Sequence, residues 1–245
     1  VIERTGSGDP YRTVGLLWRT EARPSRAGLT VDAIVAAGLA VATESGLEKL
    51  TMRRIAAELG VGTMSLYTHV PGRAELIDLL VDHVNGTVHA GEPPLPDDDW
   101  RAALTAIAER NLRLYTTHPW LIDVDVSRPP LGPGTTAKYD AELAPLVGIG
   151  LDDVDVDRTL ALVLDLARSA ARTELAGRAR AGSSDADWWA SAGPRLAAVL
   201  DPARYPHAAR IGAAAGQAYG SAVDREGALG FGLQVILDGI ARRLG

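Results

Sequence analysis

Between Thr51 and Gly72 the chain reads TMRRIAAELGVGTMSLYTHVPG, and this stretch constrains the fold more than any other. Thr51 to Leu59 has helical spacing and a plausible Thr cap at its start, and Gly60 suits the left-handed position just past a helix end. A second short helix fits Thr63 to His69 before Pro71-Gly72 closes it. Ala56 is small where the two helices must approach, and Ile55, Val61 and Leu66 can form the small core that fixes their angle. The second helix then projects Thr63, Met64, Ser65, Tyr67, Thr68 and His69, short polar or adaptable side chains suited to base edges and phosphates. Two short helices joined by a glycine turn describe a helix-turn-helix. From spacing alone, an ordinary corner of two helices with one solvated polar face stays open.

Helical periodicity extends almost everywhere else. Thr30, with Asp32 in the first turn, opens a helix carrying Ile34, Val35, Leu39 and Val41 until Ser45-Gly46 stops it. From Ala74 to Ala90, Leu76, Ile77, Leu80, Val81, Val84 and Val88 mark a connector helix. The linker GEPPLPDDD (91–99) bars a helix until Trp100. Trp100, Leu104, Ile107, Ala108, Asn111 and Tyr115 form one stripe, and Leu160, Val163, Leu164, Ala167 and Ala171 another. Leu229, Leu233, Ile236, Leu237, Ile240 and Leu244 form a third. No alternating run bounded by hairpin turns competes, so the expected fold class is all-α. The division this suggests is an extension over 1–28, a helix-turn-helix domain over 29–73 and a larger helical domain over 74–245.

Charge is polarised along the chain. The net charge is −6, yet residues 1–73 carry nine Lys/Arg against seven acids, which leaves +2 there and −8 beyond. An apolar content of 47% with 23% charged residues points to a folded chain. No cysteine is present, which excludes disulfides, thiolate metal sites and cysteine nucleophiles. No apolar run approaches a membrane span and the first residues do not read as a secretory signal, so the expectation is a cytoplasmic protein with no membrane partner.

Residues 29–76, from LTVDAIVAAG through GRAEL, resemble the N-terminal domain of the TetR family of bacterial transcriptional repressors. The likeness rests on Gly46-Leu47, Thr51, Arg53-Arg54-Ile55-Ala56, Leu59-Gly60-Val61, Ser65 to His69, and Arg73 before Glu75-Leu76. The end GFGLQVILDGI (230–240) is more weakly similar to the close of the tetracycline-repressor-type regulatory domain. Val70 stands where many members have Phe, and Arg73 replaces the commoner Lys while keeping its charge. The resemblance implies an operator-binding homodimer on double-stranded DNA. Arg53 would reach a guanine edge, Thr63 and Met64 would face bases, and Thr51, Ser65, Tyr67, His69 and Arg73 would contact phosphates. Tyr67 and His69 also have a plain reading, as packing against the first helix of the domain. The stripes of the Leu160–Ala171 and Leu229–Leu244 helices are the expected dimer seam, with an intrachain core as the other reading.

The extension carries a helix start at Asp9-Pro10, a short face of Tyr11, Val14, Leu17 and Trp18, then Arg19, Arg23 and Arg26. Those arginines suit an arm in the minor groove beside the operator; a solvated tail is the alternative. The larger domain is expected to bind a small effector, with no cofactor and no metal assigned. His89 matches a drug contact of the tetracycline repressors; Asn111, His118, Trp120, Arg172, Trp188 and Trp189 are polar or aromatic residues among apolar helices. A constitutive or activating regulator without an inducer is the second functional reading. Enzyme chemistry has little support: there is no HExxH, P-loop or nucleophile elbow, and Gly148-Ile149-Gly150 lacks a third glycine. Asp153, Asp155 and Asp157 have a calcium-loop rhythm without its glycine or glutamate, so they read as acids at a helix N-terminus.

Overall fold

The computed structural model describes residues 3–20, 29–178, 184–225 and 227–245. The chain is helical: α1 (Pro10–Leu17), α2 (Val31–Ser45), α3 (Met52–Glu58), α4 (Thr63–Tyr67), α5 (Arg73–Asn85), α6 (Trp100–Thr117), α7 (Pro133–Leu143), α8 (Asp153–Arg178), α9 (Asp185–Val199), α10 (Pro206–Tyr219) and α11 (Ala228–Leu244). Short 3-10 turns cover Leu47–Lys49, Pro119–Asp123 and Ala144–Leu146. Side chains set several of the helix starts: Asp9 accepts from Tyr11 N, Thr30 from Ala33 N, Thr51 from Arg54 N, and Asp99 from Arg101 N and Ala102 N. Asp153 and Asp155 fall in the first turn of α8, as their acid character requires beside a helix N-terminus.

Two strands escaped the periodicity. β1 (Glu3–Arg4) pairs in parallel with β2 (Val124–Asp125). Two residues are too few to show alternation, and the partners lie some 120 positions apart.

In the body, α6 and α8 pack along each other through Leu104, Ile107 and Ala108 against Leu160 and Val163, and Leu233, Leu237 and Ile240 of α11 close the cluster. Most of both stripes expected to form a dimer seam is therefore intrachain core. The large apolar side chains that α8 and α11 leave outward are Val154, Leu162, Phe231 and Val235, each more than half exposed.

The head and body meet through a shared core rather than a hinge of solvent. Ile34, Leu50, Ile55, Leu66 and Val70 of the head form one cluster with Leu76, Ile77 and Leu80 of α5 and with Leu114, Trp120, Leu121 and Val124 of the body. So α5, grouped with the body in the sequence division, supplies much of the head's core as well.

α5 buries polar residues along with apolar ones. Glu75, Asp78 and Asp82 are all buried, and their spacing places them on one face. Asp78 Oδ1 accepts from Gly6 N at 2.9 Å, and Asp82 accepts from Gly134 N and Thr135 N at 3.2 and 2.8 Å. The backbones of α5 and α7 approach so closely that a Cβ at Gly134 would lie 2.1 Å from the Asp82 carbonyl oxygen. Only glycine fits there.

The N-terminal extension is a strap over this acidic face. α1 buries Thr13 and Leu17, while Tyr11 is 91% exposed and Val14 and Trp18 also face outward. Of the four residues expected to form its apolar face, Leu17 alone is buried, because α1 lies against the polar side of α5 and turns Thr13 toward it.

Burial pushes the Asp78 carboxyl up to about 6 against the Gly6 amide, with Glu75 and Asp82 adding repulsion. A carboxyl raised on folding contributes stability fully below its ordinary value near 3.8 and loses it as pH rises through 6. Asp78→Asn keeps an acceptor for Gly6 and removes the charge. The variant is expected to match the wild type in urea unfolding at pH 4 and to exceed it by about 1–3 kcal/mol at pH 8. Parallel stability curves across that range would refute the assignment.

Candidate nucleic-acid interface and effector site

The helix-turn-helix forms as its residues require. Gly60 sits at φ +65°, Gly60 N donates to Ala57 O, and Val61 N donates to Ala56 O, the paired bonds that end a helix on a left-handed glycine. Ile55, Ala56 and Leu66 are buried beneath the turn, with Val61 packed against them. On the outer side Thr51, Arg53, Ser65 and Tyr67 are exposed and Met64 is 77% exposed, while Thr63 and His69 are half-buried. Arg53, Met64 and Tyr67 make no side-chain hydrogen bond or ion pair among the described residues. The Thr51 hydroxyl caps α3, accepting from Arg54 N at 3.1 Å. Tyr67 is 43% exposed.

Two of the expected DNA-contacting arginines are engaged within the chain. Arg73 donates to Glu3 Oε1 from Nε and Nη2 at 3.1 and 2.8 Å, and from Nη2 to Leu47 O at 2.7 Å. Arg19 donates to the carbonyls of Leu16 and Leu17 at the end of α1 and pairs with Asp32 at 2.7 Å. Residues 3–20 are folded onto the protein, and Arg19 closes this segment. Arg23 and Arg26 lie outside the described residues.

The effector candidates separate into distinct places. His89 and Asn111 come together around Glu142 of α7, whose side chain is fully buried. Asn111 Nδ2 donates to Glu142 Oε1 at 2.7 Å, and Lys138 Nζ to Oε2 at 2.6 Å. Arg110 Nη1 lies 3.1 Å from His89 Nδ1. Arginine can only donate, so Nδ1 accepts and Nε2 carries the proton of the neutral ring. That Nε2 is 3.4 Å from Glu142 Oε1 without completing a hydrogen bond, and Asn111 Oδ1 is also buried without a partner. Burial pushes the Glu142 carboxyl up, but the nearby His89 N–H, the Lys138 ammonium and the Asn111 amide outweigh it and hold the group below its ordinary range.

His118 and Trp120 instead lie edge to face beneath the head, with Trp120 buried in the shared core. Burial, then the neighbouring His83, lowers the His118 pKa. Arg172 lines a separate cleft of about 1260 Å³ between Ser45–Glu48 of the head, β2 and α8. Trp188 and Trp189 sit on α9, which buries no residue; Trp189 packs on Gly193 and Gly216, and Trp188 is exposed. These five residues do not join His89 and Asn111 in one site. Sequence reasoning missed Arg110, Lys138 and Glu142. Lys138 and Glu142 form an i,i+4 pair, a pattern that usually marks a solvated helix face, and nothing local marks this one as buried.

Removing one partner of a buried pair leaves an uncompensated charge. Lys138→Met is therefore expected to destabilise the chain by about 3 kcal/mol near neutral pH, read by urea unfolding. Glu142 is depressed on folding, so its stabilisation is present above its ordinary value near 4.5 and lost as pH falls below it. The penalty of the variant should shrink over that acid range; a pH-independent penalty would mean that the lysine acts through its packing alone.

Residues 34–80 match the family model for bacterial regulatory proteins of the tetR family, and residues 92–244 match the tetracyclin repressor-like C-terminal domain. The chain is 43% identical to the HTH-type transcriptional repressor DrrR1 of Streptomyces coeruleorubidus, over 97% of this chain and 88% of that one. It is 27% identical to the class A tetracycline repressor from transposon 1721 of Escherichia coli, over 88% and 92% of the two chains. Among solved structures, apo ActR from Streptomyces coelicolor superposes with a TM-score of 0.74 at 28% identity, covering 90% of this chain and 99% of that one. ActR in complex with actinorhodin gives 0.74 at 27% identity, covering 89% and 99%. With the helix-turn-helix at its head and the tetracycline-repressor-like body behind it, the chain belongs to the TetR family of bacterial transcriptional regulators.

Proposed function

We propose that the chain is a homodimeric repressor that binds a palindromic DNA operator and releases it when a small molecule enters the body. The observation that carries the DNA-binding part is the outer face of α3 and α4, where Arg53, Met64 and Tyr67 stand free over a rigidly packed turn. A guanidinium fits the O6 and N7 acceptors of guanine, and Met64 offers an apolar contact to a thymine methyl. One short helix reads few base pairs, so a two-fold operator needs a two-fold protein with recognition helices about 34–36 Å apart.

Leu162, Phe231 and Val235 supply the surface for that two-fold contact. Phe231 is the chain's one phenylalanine, 75% exposed, and Val235 lies one turn further along α11.

The effector site is the cluster around Glu142. It offers a free acceptor at Asn111 Oδ1 beside the His89 Nε2–H that faces Glu142, and it sits on α7, which Asp82 ties to α5. A ligand that reorganises Glu142 therefore pulls on the helix that carries the head. The solved ActR complexes with actinorhodin and (S)-DNPA and the repressor name of DrrR1 support this reading. Ligand and operator would oppose each other reciprocally, because only differential affinity for two states can shift their populations.

The direct test is binding to duplexes selected from a random-sequence pool. Arg53→Ala is expected to lose about 1–3 kcal/mol of operator binding and to relax the preference at one base of each half-site. A uniform loss at all sequences would make Arg53 a phosphate contact instead. Phe231→Glu should give a folded monomer by sedimentation velocity where the wild type is a dimer; an unchanged dimer would place the seam elsewhere.

A further inference from the structure

Residues 3–20 touch both halves of the molecule. At one end β1 pairs with β2 of the body, and the Thr5 hydroxyl donates to Arg128 O at 2.7 Å. β2 is itself gripped by α8, since Arg168 Nη2 donates to the carbonyls of Leu121, Ile122 and Val124. In the middle, Gly6 N is held by Asp78; Gly6 has φ +64°, and a Cβ there would lie 2.8 Å from Arg128 Cβ. At the other end Leu17 enters the head's core, Trp18 Nε1 donates to Leu131 O of the body at 2.8 Å, and Arg19 pairs with Asp32 of α2.

The strap also controls a cation. Glu3, on β1, holds Arg73, the first residue of α5 and only five residues of chain beyond the end of α4. An arginine beside a recognition helix is placed to meet the DNA backbone, which supplies affinity and sets register. Here its guanidinium is neutralised by a carboxylate that belongs to the body-paired strand.

We propose that residues 3–19 are an intramolecular latch: Glu3 withholds Arg73 from the DNA backbone, and the β1–β2 pairing makes the release of Arg73 depend on the position of β2 and α8. The latch presupposes the DNA-binding reading given above. It is a second route from body to head beside α5, because α8 holds β2, β2 holds β1, and β1 holds the arginine. The pair is about one-third exposed on each side, so it is weak enough for a phosphate to displace.

The test is operator binding by the full chain across a salt series, on duplexes that the wild type has selected from a random pool. Glu3→Gln removes the competing charge, and Gly6→Val loosens β1 by strain and by a clash with Arg128 while leaving Glu3 and Arg73 themselves unchanged. Both are expected to bind about threefold tighter at 0.1 M salt, with a log–log salt slope steeper by about 0.9, the signature of one added phosphate contact. Arg73→Gln should lose that contact, and the Glu3→Gln/Arg73→Gln double variant should behave as Arg73→Gln alone. Unchanged affinity and slope in Glu3→Gln would overturn the latch. So would weaker binding with a shallower slope, which would show the strap itself touching DNA. If the wild type selects no sequence from the pool, the DNA-binding reading fails first and the latch falls with it.

Discussion

α5 is buried on nearly every side, and three of its buried side chains are acids. A carboxylate out of water is tolerated only where donors are supplied, so each acid dictates what must lie against the helix. Asp82 draws the amides at the start of α7 to within hydrogen-bonding distance, and Asp78 draws the Gly6 amide of the strap. Glycine is needed where a Cβ would strike a neighbour: at Gly134 against the Asp82 carbonyl oxygen, and at Gly6, with its positive φ, against Arg128. The connector is thereby tied to the body on one side and to the N-terminal segment on the other.

The polar cluster around Glu142 is not what packing alone would choose. Apolar residues of the same volume would pack α6 and α7 at least as well, since a buried ion pair does not repay its desolvation easily. The cluster instead leaves Asn111 Oδ1 unsatisfied, at the far end of the same helix pair that Asp82 clamps. An unsatisfied buried group is a standing cost that a ligand can relieve. Under the proposed reading, its position on α7 would carry that relief to α5 through Asp82.

The helices were legible because each declares itself locally. Thr30, Thr51 and Asp9 cap where their neighbours in sequence predict, and Gly46 and Gly60 end helices for reasons contained within a few residues. The outward face of α4 was legible too, since Met64, Ser65 and Tyr67 stay exposed while Leu66 alone enters the core. What stayed hidden depends on partners distant in sequence. Lys138–Glu142 looks like any surface pair until α6 covers it, and Trp188 and Trp189 look like pocket residues until α9 is seen to bury nothing. The course of residues 3–20 was hidden for the same reason: the feature that decides it is an acidic face on α5, some 60 to 75 positions away.

Electrostatics binds these observations together. A chain of net charge −6 repels DNA at long range, so whatever draws it to an operator must be local, and each exposed cation on the head counts for more than it would on a basic protein. Arg54 is already paired with Glu44, and Arg73 with Glu3, which leaves Arg53 as the uncommitted guanidinium beside the recognition helix among the described residues. Under the proposed reading, a head with so few free charges would bind non-cognate DNA weakly. The carboxylates that quiet these arginines are thus part of how such a surface would choose its site, since a neutralised cation pays nothing for approaching the wrong one.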